Sequence, residues 1–288
     1  MQLALKVDVD TRIGLTEGVP RMLELFRRYG VHASFFVSFG PDHSGRAIRR
    51  IWRPSFILKM LRTNPFRLYG VKTLLSGTLL PSKPIGDENP GPLRAIVDAG
   101  HELGVHGYDH VFWQDRLEKL SETAIEAELE RGVRAYERIL GARPRATAAP
   151  GWRCTEASLA VQDRLGFDYA SDVRGAAPFY PSAGGRIFST LQIPTTLPTL
   201  DELIGREPRP NEALLSSLCD GLNVHTVHAE VEGRPYLSLF EEFLREVHKR
   251  SIETVLLRDV VAKKINLPAR AVTRGSVPGR SGWVAKGE

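Results

Sequence analysis

The hydrophobic and polar positions of this chain change period several times, and each change marks an element. "LALKVDV" is a short, mostly apolar run that predicts a strand. In "TEGVPRMLELFRRYG" the apolar positions Val19, Met22, Leu23 and Phe26 recur at helical spacing. Thr16 is a candidate N-cap there and Gly30 a natural stop. "VHASFFVSF" predicts a second strand, and "PLRAIVDAG" with "HELGVH" a short helix and a third strand. The clearest helix is "SETAIEAELERGVRAYERILG". It has Ser121 as cap, Ala124, Ile125, Leu129, Val133, Tyr136 and Leu140 on one face, and Gly141 at its end. Beyond it, "RATAAP", "FDYASD", "GLNVHTVHAE" and "IETVLL" read as strands, and "TEASLAVQDRLG" and "YLSLFEEFLREVHKR" as helices. Repeated strand–helix units predict an α/β protein with a parallel sheet, open or closed into a barrel. The chain shows no internal repeat.

Two segments break this rhythm. An insert over 41–92 carries Arg46, Arg49, Arg50, Arg53, Lys59, Arg62, Arg67, Lys72 and Lys83, with no acid between Asp42 and Asp87. Trp52, Phe56, Phe66 and Tyr69 are interleaved with these charges. The insert fits three descriptions: a solvated basic lid, a nucleic-acid-binding segment with stacking aromatics, or a membrane-docking face. The second irregular segment follows Leu267 and is rich in Gly, Pro and Ser. It is expected to be flexible or loosely docked, with Trp283 as an anchor. The expected organisation is one catalytic domain over 1–266 and a tail over 267–288.

Composition narrows the picture little. The chain has 288 residues, a formal charge of +5 and two cysteines, Cys154 and Cys219, in no metal-like spacing. These read as free thiols in a reducing compartment. No apolar stretch is long enough to predict a transmembrane helix, and the N-terminus has no signal-peptide pattern.

The candidate chemistry lies at the predicted C-terminal ends of strands, where barrel enzymes build their sites. Asp8 and Asp10 close the first strand, His106 the third, and Asp172 and His228 two later ones. Residues two apart on a strand share a face, so Asp8 and Asp10 point the same way. Two carboxylates that close repel unless a cation or a shared proton relieves them. His106 and His110 have His-x3-His spacing, and four residues along a helical turn would put both imidazoles on one face. One aspartate and two histidines with open positions make a catalytic metal set, which leaves the second aspartate as a base. Capping of the following helix is the alternative role for Asp10.

These motifs, in this order, resemble the polysaccharide deacetylase family, the NodB-homology or carbohydrate esterase family 4 enzymes. "VDVDT" stands at the family's aspartate motif, "HGYDH" at its histidine motif, and "APGWR", "YASDVRG" and "VHTVHAEVEG" at later ones. The resemblance implies a distorted (β/α) barrel and metal-dependent hydrolysis of acyl groups from sugars. It implies Asp10, His106 and His110 as metal ligands, Asp8 as base and His228 as the acid that protonates the leaving amine. Trp152, Arg153, Asp172, Arg174 and Glu230 would support the site, Arg153 by orienting Asp8 and Asp172 through His228. Glu230 would share a strand face with His228 and touch the sugar. Trp152 would wall the acyl pocket. Val9 separates aspartates that are adjacent in the family, so the roles of Asp8 and Asp10 are open to exchange.

"SFFVSFGPDHSGR", "RPSFILKMLR" and "QIPTTLPTLDELIGRE" further resemble a branch of the family that deformylates an aminosugar carried on undecaprenyl phosphate. That step belongs to lipid A modification with aminoarabinose and to polymyxin resistance. The branch implies a peripheral protein at the cytoplasmic face of the bacterial inner membrane. Arg49, Arg50, Trp52, Arg53, Phe56, Lys59, Arg62 and Tyr69 would then face lipid, and nucleic acid is not an expected partner. The expected cofactor is a divalent ion, with Zn, Co, Mn and Fe all suited to the donors. A deacetylase of another aminosugar and a non-catalytic lipid-phosphate binding module are the alternatives. The oligomeric state is not legible.

Overall fold

The computed structural model describes residues 1–46, 75–78, 80–262 and 267–288. The lipid-facing residues expected from the insert, Arg49, Arg50, Trp52, Arg53, Phe56, Lys59, Arg62 and Tyr69, lie outside the described residues.

Strand β1 (Gln2–Val9) is the centre of the molecule. It pairs in parallel with β2 (Ser34–Val37) through Lys6–Val9 and with β9 (Leu222–His228) through Gln2–Asp8. A third parallel partner, β10 (Glu253–Val255), takes Gln2–Ala4. From β2 the sheet continues in parallel through β3 (Glu102–Val105), β4 (Ala146–Thr147), β5 (Tyr169–Ala170) and β8 (Leu191–Gln192). Beyond β8 the N–H groups of Thr196 and Leu197 both donate to Val224 O in β9, which returns the sheet to its start. The result is a distorted parallel barrel: the alternating pattern predicts the parallel sheet, and the family resemblance implied its closure.

Alternation along β1 sorts its side chains. Leu3, Leu5, Val7 and Val9 are fully buried against α1 (Val19–Tyr29) and α8 (Leu237–Lys249), whose Phe26, Phe240 and Phe243 belong to the same core. Each such burial stabilises the fold by roughly 1.5–3 kcal/mol. Ala4 points the other way, into a barrel interior shared with Phe36, Ala146, Ala148, Tyr169 and Val224. Lys6 and Asp8 follow Ala4 on that inward face, both buried. Covering on both faces is why "LALKVDV" reads as a nearly continuous apolar run.

Helix ends follow the expected signals with one exception. The Ser121 side chain accepts from Ala124 N at the start of α4 (Glu122–Leu140), and Gly141 ends that helix with φ 71°. Thr16 is not a cap. A π-helical turn over Gly14–Gly18 leads straight into α1, and Thr16 Oγ1 donates to Arg12 O. Gly18 in that turn meets the backbone after β9 so closely that a Cβ would lie 2.0 Å from Ala229 O. This contact pins the turn that follows His228.

The segment after Leu267, expected to be flexible or loosely docked, forms two strands. β11 (Ala269–Gly275) pairs with β6 (Tyr180–Ala183) and with β12 (Val284–Gly287) in a separate small sheet, completed by β7 (Arg186–Ile187). Arg174 N donates to Ala285 O, and Ala285 is buried with Phe179, Phe188 and Val173. Trp283 does act as an anchor: its ring is stacked by Arg153 and Arg274, and its Nε1 donates to Glu118. No helix among the described residues is long and apolar enough to cross a membrane.

Candidate active site

The barrel brings Asp8, Asp10, His106, His110 and His228 together at the C-terminal ends of β1, β3 and β9. Asp10 stands just past the end of β1. Its Oδ1 is 3.2 Å from His106 Nε2, and its Oδ2 is 3.2 Å from His110 Nε2. One ligand atom from each of the three residues lies within 4.8 Å of the others. The His-x3-His spacing works differently from a single helical turn. His106 follows the last residue of β3, Gly107 turns the chain with φ 64°, and His110 opens helix α3 (His110–Arg116). The two rings still meet, with centroids 5.4 Å apart.

Asp109, between them, fixes the second histidine. Its carboxylate caps α3 by accepting from Phe112 N, and its other oxygen meets His43 Nδ1 at 2.6 Å. Its own N–H donates to the buried Glu128 Oε1 at 2.6 Å. Burial pushes the Glu128 carboxyl up to about 6. Burial alone would also raise Asp10, but the His110 and His106 imidazoles hold it well below the usual carboxylate range.

Asp8 is partnered separately. Lys6 Nζ donates to Asp8 Oδ2 at 2.7 Å, and neither side chain is more than 4% exposed. The Lys6 ammonium also lies 5.6 Å from the Phe36 ring and 5.3 Å from the Trp152 ring. Such desolvated cation–π contacts contribute about 2 kcal/mol. Lys6 was missed as a site residue because a lysine inside an apolar run reads as strand. Its signal was the i, i+2 spacing to Asp8.

Several supporting residues stand elsewhere than expected. Arg153 lies 3.8 Å from Glu118 and stacks on Trp283, while Lys6 pairs with Asp8. Asp172 does not act through His228. Its Oδ2 accepts from Gln162 Nε2 at 2.8 Å and Gln192 Nε2 at 2.9 Å, inside the protein, where burial raises its carboxyl. Glu230 does not continue the strand face of His228, because β9 ends at His228. It is 2% exposed, beneath the Gly14 turn, and burial followed by the Asp10 charge pushes it well above the usual range. Trp152 is 2% exposed and so is not an open pocket wall. Its Nε1 donates to Thr195 Oγ1, and its ring is covered by Arg280 at 4.3 Å, Arg174 at 5.2 Å and Lys6. Arg174 pairs with Glu202 at 2.7 Å.

His228 stands beside this indole, with ring centroids 6.3 Å apart. Burial lowers its pKa, while the charges of Asp10, Asp201 and Asp8 oppose that shift. Its backbone N–H donates to Glu232 Oε2, a buried carboxyl that burial pushes up to about 8. His225 is buried on the opposite face against Phe243, with Nδ1 3.1 Å from Pro198 O. Glu202, Glu232 and Arg280 escaped the sequence reading because nothing in their local pattern marks them as inward-facing.

The residues fit a divalent ion. Asp10 Oδ1 is buried and makes no aligned hydrogen bond, although two imidazole nitrogens converge on its carboxylate. One carboxylate and two imidazoles are a donor set for such ions.

Residues 3–170 match the family model for polysaccharide deacetylase, and the chain belongs to that family, whose enzymes are metal-dependent. It is 38% identical, over 99% of its length and 94% of the relative's, to a Shewanella sediminis protein named probable 4-deoxy-4-formamido-L-arabinose-phosphoundecaprenol deformylase ArnD. A Wigglesworthia glossinidia brevipalpis protein of the same name is 35% identical over 95% of this chain and 98% of its own. Among solved structures, a polysaccharide deacetylase from Mycobacterium smegmatis superposes with a TM-score of 0.64 at 20% identity, covering 96% of this chain and 94% of that one. The family 4 carbohydrate esterase from Streptomyces lividans shares the fold with a TM-score of 0.52 at 13% identity, covering 88% of this chain and 91% of its own.

Two outcomes follow from the site's packing. Lys6→Met leaves the Asp8 carboxylate buried without its partner and is expected to destabilise the protein by about 3–5 kcal/mol. Urea denaturation measures this, and adding Asp8→Leu should recover most of the loss. The second concerns Glu128, whose carboxyl is raised in the folded state. The native protein therefore binds more protons than the unfolded chain between about pH 4.5 and pH 6, and stability falls as pH rises through that window. The size of this loss is about 2 kcal/mol. In Glu128→Gln the loss should vanish, so the stability difference between variant and wild type should change by that amount across the window.

Proposed function

We propose that this protein is a metal-dependent amidohydrolase that removes the N-formyl group from 4-deoxy-4-formamido-L-arabinose carried on undecaprenyl phosphate. The observation that carries the reading is the convergence of Asp10, His106 and His110 on one point, near Asp8, which is paired with Lys6, and His228, which stands against Trp152. The near-full-length similarity to two proteins named as that deformylase supplies the substrate.

Asp10, His106 and His110 would hold a divalent ion, with Zn, Co, Mn and Fe all suited to the donors. When bound, the ion supplies Lewis acidity to the attacking water and to the formyl carbonyl. Asp8 takes the proton from the water as it attacks the formyl carbon. Lys6 Nζ donates to Asp8 Oδ2 and holds the carboxylate in place. His228 gives a proton to the sugar nitrogen as the C–N bond breaks, so formate and the free amine leave. Trp152 keeps His228 against a rigid, dry wall. Asp172 and Arg174 act at one remove: Asp172 ties Gln162 to Gln192, and Arg174, held by Glu202, lies directly on the Trp152 ring.

The product amine would serve lipid A modification with aminoarabinose, which underlies polymyxin resistance. A substrate on a polyprenyl carrier stays in the bilayer, so the protein would act as a peripheral enzyme at the cytoplasmic face of the inner membrane. The basic, aromatic insert supports that reading by its composition. Each Lys or Arg near an anionic leaflet contributes roughly 1 kcal/mol to attachment.

Purified protein, incubated with the undecaprenyl-linked formamidosugar, should release formate detectable by mass spectrometry. The N-acetyl analogue should release acetate far more slowly. His106→Ala should lose at least about a thousandfold in kcat, and a chelator should abolish turnover in the wild type. Full activity of His106→Ala or Asp10→Ala with metal still bound would sink the reading. Faster acetate release would make the protein a deacetylase instead.

A further inference from the structure

Arg280 lies in the turn that joins β11 to β12, in the segment expected to be loose. Its guanidinium carbon sits 4.3 Å from the Trp152 ring centroid, on the indole that also borders His228. Its Nη1 reaches Glu202 Oε1 at 3.5 Å. That oxygen is already held by Arg174 Nη1 at 2.7 Å, and Glu202 Oε2 accepts from Thr199 N. Two guanidinium groups therefore share one carboxylate oxygen, and Arg280 has the longer, weaker share. The Arg280 side chain is 13% exposed and lies on the Trp152 indole that borders His228, held there by the ring and by the longer share of Glu202 rather than by a full ion pair.

The substrate class has a matching anion. A 4-formamido sugar joined to a polyprenol through phosphate carries its amide on one side of the pyranose ring and a phosphodiester on the other. When the amide lies at Asp8 and His228, the phosphate falls one sugar ring away. A stacked guanidinium is the side chain best suited to two phosphate oxygens at once. We propose that Arg280 binds the phosphodiester at the anomeric end of the substrate, so that the C-terminal strands complete the active site. This rests on the deformylase reading for the position of the amide. Arg174 positions the subsite by occupying Glu202, and Gly279 lets the turn approach: with φ 88°, a Cβ there would lie 2.8 Å from Glu202 O.

The test compares wild type, Arg280→Lys and Arg280→Gln on two formamidoarabinose substrates, a short-chain prenyl phosphodiester and an uncharged methyl glycoside. Thermal unfolding confirms that each variant is folded. Arg280→Gln should raise KM for the phosphodiester at least about tenfold, and should lower the ratio of kcat/KM for diester over glycoside by a similar factor. Arg280→Lys should recover part of that ratio, because it restores the charge without the paired donors. An equal loss on both substrates, or no change in the ratio, overturns the proposal. If the wild type deformylates neither compound, the deformylase reading fails, and calorimetry with the aminoarabinosyl prenyl phosphodiester then decides the subsite. About tenfold weaker binding to Arg280→Gln supports it, and equal binding overturns it. Inorganic phosphate serves as the competing probe: weak competition supports a lipid-linked diester as the ligand, and competition as strong as the diester's overturns that assignment.

Discussion

Two carboxylates at one strand end cannot both be buried and charged unless each has its own counter-charge. The rest of this site follows from how that constraint is met. Lys6, one strand repeat before Asp8, supplies an ammonium from inside the barrel. His106 and His110, from the end of β3 and the start of α3, face Asp10. The two acids sit close in sequence and are given different surroundings, and different surroundings allow different chemical roles. β1 makes this arrangement reliable because it is paired with β2, β9 and β10 and cannot shift register without moving every buried side chain to the wrong face.

Further carboxyls are buried around that pair. Glu230 and Glu232 lie under the site, and burial pushes both upward, Glu232 to about 8. Asp172 sits in the interior between two glutamine side chains. The remaining positive groups gather on Trp152, an indole in the left-handed backbone region at φ 53°. That conformation turns the ring inward beneath Lys6, Arg174 and Arg280 and against His228. Strain of this kind costs of order 1–3 kcal/mol and persists where surrounding contacts hold it. Here those contacts are the Thr195 hydrogen bond and the three cations.

Much of this was legible in the sequence. The parallel sheet and the capped helix from Glu122 to Leu140 follow from period, while the family resemblance carried by motif order implied the barrel and the grouping of Asp8, Asp10, His106, His110 and His228 at its strand ends. What the sequence hid were contacts made across long separations. Motif position pointed to Arg153 as the cation for Asp8, and the inward turn of the even positions of β1 places Lys6 there. Asp172 and Glu230 carried motif positions but turned out to be buried, because β5 and β9 end sooner than their apolar runs suggest. The segment after Leu267 looked like a loose tail because Gly, Pro and Ser dominate its turns. The strands beside them, ARAVTRG and VAKG, hold too few large apolar residues to show a period, although Ala285 packs on Phe179, Phe188 and Val173.

The central claim is the division of labour between Asp10 as ligand and Asp8 as the lysine-held base. Anomalous diffraction from a crystal soaked with a divalent transition metal tests it most directly. The account predicts one strong peak bound by Asp10, His106 and His110, with Asp8 still paired to Lys6. A peak bound by Asp8 instead, with Lys6 displaced from it, would contradict the account.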